Sequence, residues 1–400
     1  MDSKYLAQVE YYLETLCGYP DRHVGGPGNR AATAMFAKAT AALGFDVSVA
    51  EFNCIDWERG DVVLSADGCS FEAFVGPYSM PVSTTALLMD ASTIEELEAG
   101  RFEDSILLIH GDLAKEQLMP KNFVFYNPDG HKRVIAAIES KKPAAIIAAT
   151  GHNPGSSGAL YPHPLIEDAD FDVPNAYMKD IEGKRLLAHV GEDVLLSFHS
   201  RRLDAYGQHV VASKPGSEVG RVVLFGHIDS RDGTPGALDN ATGTAALLAL
   251  AELLADYEGS LGVDLVPLNG EDYYAASGQM LWVAENEGRM DEIVLGINAD
   301  AAGCKGGRTA ISQYGLPDSV DEAVTSAMTE REDFFDGPQW PMSDHSIFIQ
   351  YGRPAIAVTS ENLSWLGSEI THTEKDTLDL VDAEIVGRIG LFYKDVIDRL

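Results

Sequence analysis

Five residues of the kinds that hold dications fall in the order His227, Asp239, Asp272, Asp300 and His372, and a further carboxylate, Glu271, directly precedes the third. Imidazole nitrogen and carboxylate oxygen are zinc donors, and a catalytic ion keeps one position open for water. Two ions about 3.5–4 Å apart can clamp a nucleophilic oxygen between them. The set suits such a pair if one carboxylate bridges. Asp239 is the expected bridge, which leaves His227 with Asp300 on one ion and Asp272 with His372 on the other. Glu271 is then left without a metal. A carboxylate in that position can take a proton from water and later return it to a leaving group, acting as general base and then general acid.

The elements that would position these residues are legible as apolar runs. Arg221–Phe225, Val263–Leu268 and Ile293–Asn298 stop shortly before His227, before Glu271 and Asp272, and before Asp300 respectively. Asp239 is expected to open a helix instead. In open α/β sheets, groups at the carboxyl ends of parallel strands converge on one crevice, so residues far apart in sequence become neighbours. Taken singly, each has an ordinary reading. His227 is a strand-end histidine, Asp239 a helix N-cap, Glu271–Asp272 an acidic loop, and Asp300 a turn residue. Their order and strand-terminal placement together favour metal. Asp376 reads as a cap or an outer-shell group, and Asp344 and His345 as pocket lining or a polar helix start. His110, His152 and His163 read as surface or loop residues.

The local sequences are Phe225-Gly-His-Ile-Asp-Ser230, Ala237-Leu-Asp-Asn-Ala-Thr-Gly243, Asn269-Gly-Glu-Asp-Tyr273, Asn298-Ala-Asp-Ala-Ala-Gly303 and Thr371-His-Thr-Glu-Lys-Asp-Thr377. In these motifs, over most of residues 203–400 plus the first fifty, the chain resembles the co-catalytic di-zinc aminopeptidases of the bacterial leucyl aminopeptidase type. Glutamate carboxypeptidase and glutaminyl cyclase are relatives of that family. The resemblance implies that Asp229 orients the His227 imidazole and that the Asp239–Asn240 peptide is cis. Two departures stand out. The second carboxylate of the family's Glu-Glu pair is Asp272, one methylene shorter. Where the family often has a tyrosine before Ser-Asp-His, this chain has Trp340-Pro-Met-Ser-Asp-His345. Trp340, Asp344 and His345 are the substrate-pocket candidates, with Trp340 and His345 as candidate oxyanion donors.

The resulting expectation is an aminopeptidase with two Zn2+ per chain, hydrolysing the N-terminal residue of peptides through a water between the ions, with Glu271 as base and Asp229 in support. Three alternatives stay open: a carboxypeptidase using Arg308 or Arg353 for the substrate carboxylate, a glutaminyl cyclase-like transferase, and a non-catalytic peptide-binding protein.

Length and composition bound the rest. A chain of 400 residues with 45% hydrophobic content can build sizeable cores in two or three domains. The pattern predicts an α/β fold, a mixed, mostly parallel sheet flanked by helices, made discontinuously by residues 1–60 and 201–400. Helices are expected at Tyr5–Leu16, Arg30–Leu43 and Val381–Leu400. Residues 61–200 read as a smaller β-rich insertion resembling a protease-associated domain, with strands at Ser105–Ile109 and Ala144–Ala148, a helix at His131–Ser140 and a flexible loop at Gly151–Tyr161. With 29 basic against 62 acidic side chains the net charge is −33, which repels nucleic acid and anionic membranes. Peptides are the expected partners, and monomer and homo-oligomer both stay open. The apolar run Ala241–Ala255 is too short and too polar to span a bilayer. The start of the chain shows no secretory pattern, so a cytoplasmic location is expected. Cys17, Cys54, Cys69 and Cys304 have no C-x-x-C spacing and read as reduced thiols.

Overall fold

In the computed structural model, residues 1–19, 21–153 and 158–400 are described. The chain forms two compact units. One comprises Met1–Cys54, Tyr206–Leu366 and Ile370–Leu400, the other Ile55–Ala205 with Gly367–Glu369. The chain leaves the first unit along the long strand Asp46–Ala66 and returns along Asp193–Lys214. The boundaries therefore lie inside strands, a few residues from positions 60 and 201.

In the first unit the strands stand in the order Phe334–Asp336, Thr309–Tyr314, Ala355–Ser360, Ile293–Ala299, Arg221–Phe225, Gly262–Val266, with the end of Asp193–Lys214 beyond. Arg221–Phe225 pairs in parallel with both Gly262–Val266 and Ile293–Ala299. Gly262–Val266 pairs antiparallel with Asp193–Lys214, and Thr309–Tyr314 antiparallel with Ala355–Ser360. Every position of Arg221–Phe225 and of Ala355–Ser360 is buried. That two-sided burial is why these strands read as continuous apolar runs rather than alternating ones.

The helix Thr242–Leu253 is buried from Thr242 to Ala251 and lies inside the core, against the helices Ser3–Gly18 and Ala383–Arg399. It docks closely on the sheet because two glycines meet. A side-chain carbon on Gly226 would come within 2.7 Å of the Gly243 backbone, and one on Gly243 within 2.5 Å of the Ala299 carbonyl. The helix does not open at Asp239. That residue has φ −117° and ψ 83°, in a non-helical turn spanning Ala237–Ala241, and the first helical residue is Thr242. The N-cap reading of Asp239 therefore fails. Thr242 instead closes the turn, its hydroxyl donating to the Leu238 carbonyl at 3.0 Å.

In the second unit the strands Val82–Ala91, Ile106–Ile109, Ala145–Thr150 and Asn175–Lys179 pair in parallel. Successive residues of these strands serve two cores. Leu107, Ile109 and Ile146 pack with Val134, Ile135 and Ile138 of the helix Asp129–Lys141, while Ile106, Leu108, Ala145 and Ile147 face the other core with Leu64 and Phe198. His163, read from sequence as surface or loop, is fully buried with Nδ1 3.1 Å from the Gly151 carbonyl. Of the expected loop Gly151–Tyr161, positions 154–157 lie outside the described residues. Among the described residues no helix is long and apolar enough to cross a membrane.

Candidate metal centre

The register of the central strands brings the candidates together. Val266 and Asn298 both pair with Phe225, so the three strands end level and the segments carrying His227, Glu271–Asp272 and Asp300 emerge side by side. His227 is fully buried. Its Nδ1 lies 3.1 Å from the Asp229 carbonyl, which accepts that proton. The other ring nitrogen, Nε2, lies 3.2 Å from an Asp239 oxygen and 3.7 Å from an Asp300 oxygen. It has no hydrogen-bond partner among the described residues. Acceptors facing one another in a buried site need a proton or a cation between them.

Asp229 does something other than expected with its carboxylate. That group stands 3.7 Å from His227 Nδ1, too far for a hydrogen bond. It instead accepts from the backbone N–H groups of Gly270 at 2.8 Å, Glu271 at 3.3 Å and Asp272 at 2.9 Å. Its backbone orients the imidazole, and its side chain holds the loop that carries Glu271 and Asp272. Gly270 enters that loop at φ +114°, a conformation open to glycine. Just before it, Asn269 exchanges amide hydrogen bonds with Asn29 at 2.8 and 3.0 Å, both side chains fully buried.

Asp239 is held by Asp376, whose carboxylate accepts from Leu238 N–H at 2.7 Å and Asp239 N–H at 3.0 Å. The Asp239–Asn240 peptide is cis, as the resemblance implied. Asn240 ties this turn to the next strand by donating to the Ala299 carbonyl at 2.7 Å, beside Asp300. His372 approaches from the opposite side, its Nε2 3.2 Å from the second Asp239 oxygen and 3.0 Å from an Asp272 oxygen. Ligand-type atoms of His227, Asp239 and Asp300 lie within 4.8 Å of one another, as do those of Asp239, Asp272 and His372, and of His227, Glu271 and Asp272. The two oxygens of Asp239 thus face two different histidines. Asp272 Oδ2 is buried with no hydrogen-bond partner among the described residues.

The electrostatics match this crowding. Burial disfavours the protonated forms of His227 and His372, yet the carboxylates around each overcome it and hold both well above the usual histidine range. For Asp239, burial works against ionisation and the two histidines reverse it, drawing the group below the ordinary carboxylate range. Burial dominates at Glu271, which lies well above that range, with Asp272, Asp300 and Asp344 adding to the rise and His227 opposing it.

The pocket candidates separate on inspection. Asp344, 1% exposed, stands at the N-cap position of the helix His345–Gln350 but does not cap it through its side chain; its carboxylate accepts from Gln279, and burial raises it to about 7. His345 Nε2 donates to the Trp340 carbonyl at 2.8 Å, which leaves Nδ1 without a proton to offer an oxyanion. Tyr314 hydroxyl also donates to that carbonyl, at 2.7 Å, and accepts from Trp340 N–H at 2.9 Å. The indole Nε1 of Trp340 is buried and has no hydrogen-bond partner among the described residues, so it is the donor left unspent among these candidates. Arg22, Asn29, Asn240, Asn269 and Gln279 were not anticipated from sequence. Each acts through a contact distant in the chain, and only the position of Asn240 and Asn269 beside acidic motifs hinted at a role.

Residues 209–397 match the family model described as peptidase family M28. "Leucine aminopeptidase 2" of Trichophyton equinum is 24% identical over 222 residues, 49% of this chain and 44% of that protein, so the chain matches less than half the length of this relative. Among solved structures, the aminopeptidase from Aneurinibacillus sp. strain AM-1 superposes with a TM-score of 0.77 at 19% identity, covering 98% of this chain and 92% of that one. The zinc aminopeptidase BSAP from Bacillus subtilis gives a TM-score of 0.73 at 18% identity, covering 98% and 94%. At these identities the likeness establishes the fold.

Proposed function

Because residues 209–397 match the model of peptidase family M28, we propose that this chain is a zinc-dependent aminopeptidase that removes the N-terminal residue of peptides. One observation carries the reading: two triads of ligand-type residues, His227–Asp239–Asp300 and Asp239–Asp272–His372, share Asp239. The Nε2 of His227, which faces carboxylate oxygens and has no hydrogen-bond partner among the described residues, supports a cation at that point. Each triad would hold one zinc ion, with Asp239 common to both. When bound there, zinc supplies Lewis acidity toward a carbonyl oxygen and lowers the pKa of water.

The side chains do the rest. Glu271, fixed through its backbone by Asp229, accepts a proton from the water that attacks the first peptide carbonyl and hands it to the departing amine. Trp340 Nε1 is the donor available to the carbonyl oxygen as negative charge builds on it. A carboxypeptidase would need an uncommitted cation for the substrate's terminal carboxylate. Arg308 is already paired with Glu361 at 2.8 Å, and Arg353 with Asp291 at 3.1 Å and the Ile293 carbonyl at 2.7 Å. These commitments favour the aminopeptidase.

The test compares free, N-blocked and C-blocked peptides with the zinc-loaded protein. Free and C-blocked peptides should be cleaved from the N-terminus and N-blocked ones spared, with activity lost to a chelator and restored by zinc. Cleavage of N-blocked but not C-blocked peptides would replace the reading with a carboxypeptidase.

A further inference from the structure

Arg22 is 1% exposed and forms no ion pair with a carboxylate among the described residues. Its guanidinium is spent on backbone carbonyls: Nε donates to Ile228 at 3.0 Å, Nη1 to Leu16 at 3.2 Å and Pro235 at 2.9 Å, and Nη2 to Gly236 at 2.7 Å. Three of these four carbonyls lie in residues 228–236, the stretch between His227 and the turn that carries Asp239. The backbone adds to the grip, since Arg22 N–H donates to Ser230 Oγ at 3.3 Å and the Arg22 carbonyl accepts from Ser230 N–H at 3.4 Å. Gly236 sits directly against the guanidinium; a side-chain carbon there would be 3.0 Å from Nη2. The Arg22 carbonyl also accepts from Asn29 at 3.0 Å, and Asn29 holds Asn269 at the root of the Glu271 loop.

Burying a guanidinium without a paired carboxylate is costly. A neutral side chain could tie backbone segments together at less cost. Burial draws the guanidinium below its usual range, and the nearby groups Cys17, Asp376, Asp229 and Asp239 oppose that fall, while its planar fork holds the connecting stretch.

We propose that Arg22 is a positioning residue for the metal centre, clamping residues 228–236 so that His227 and Asp239, at either end, present their ligand atoms at the spacing a shared dication requires. This rests on the zinc reading given above. The experiment measures zinc affinity by competition with a chromophoric chelator for the wild type, Arg22→Met and Arg22→Lys, alongside thermal melts of each protein stripped of metal. Loss of an outer-shell support typically weakens metal binding about 10–100-fold, and Arg22→Met should fall in that range. Arg22→Lys keeps the charge but reaches fewer carbonyls, and should recover part of the loss. An Arg22→Met protein that melts at lower temperature yet binds zinc within about twofold of the wild type would reduce Arg22 to general scaffolding and overturn the proposal. If Arg22→Met does not fold, Arg22→Lys decides, with undiminished zinc affinity as the overturning result. Should the wild type itself take up no zinc, the zinc reading falls and this one with it, whereas tight wild-type binding with unaffected variants removes Arg22 alone.

Discussion

At the scale of single residues, the proposed function separates groups that would hold metal from a group that would react. Asp239 and Asp272 face histidine nitrogens, while Glu271 shares a cluster with His227 and Asp272 but belongs to neither triad built on Asp239. Replacing Glu271 by Gln keeps the shape and removes the capacity to accept a proton. Turnover should fall by about 10²–10⁴ with zinc content unchanged, since that is the usual worth of general acid–base help. Metal analysis alongside steady-state rates checks it, and near wild-type turnover removes Glu271 as the base. Asp272→Ala should behave differently, lowering zinc uptake from two ions to one together with activity. The short carboxylate of Asp272 reaches His372 at 3.0 Å. Asp229 fixes the Gly270–Asp272 backbone from which this carboxylate projects through three hydrogen bonds.

At the scale of elements, the site depends on how closely the helix Thr242–Leu253 meets the strand ends. Alanine is worth up to about 1 kcal/mol over glycine inside a helix, so Gly243→Ala would stabilise this helix if packing were loose. The structure reverses the sign. The added carbon would sit 2.5 Å from both the Ala299 carbonyl and the Asn240 side chain, and overpacking of this kind costs typically 1–3 kcal/mol. Gly243→Ala should therefore lower stability in urea melts, and should weaken zinc binding because Asn240 and Ala299 adjoin Asp239 and Asp300. A variant as stable as the parent would show that the helix can shift without disturbing the site.

At the scale of the whole molecule, the net charge of −33 is the dominant physical quantity. Like charge at this density opposes the compact state, and screening shortens its reach from about 10 Å at 0.1 M salt to about 3 Å at 1 M. The melting temperature should rise by several degrees between 0.05 and 1 M sodium chloride. Scanning calorimetry across that range checks it; a flat or falling profile would mean that the acidic side chains are spaced or paired well enough to be harmless. Pairs such as Arg133–Glu98 and Lys394–Asp398 engage only some of the acidic groups. Exposed pairs of this sort are worth little each.

Much of this was readable before any coordinates. Residue types and order, with apolar runs ending just ahead of them, were enough to expect a mostly parallel α/β sheet with its candidates gathered at the strand ends. Those signals are local, because a strand buried on both faces must be apolar along its length and the chain leaves it at the ligand position. The tertiary structure decided what local signals cannot carry. Asp239 looked like a helix cap because a short acidic residue before a helix usually is one; here Asp376, more than a hundred residues away, takes over the turn. Asp229 turned from imidazole to loop, and His345 was spent on the Trp340 carbonyl, because hydrogen-bond partners are allotted by proximity in space. Arg22 left no trace in the sequence for the same reason: its contacts are to backbone carbonyls, which every residue possesses and no pattern of side chains can announce.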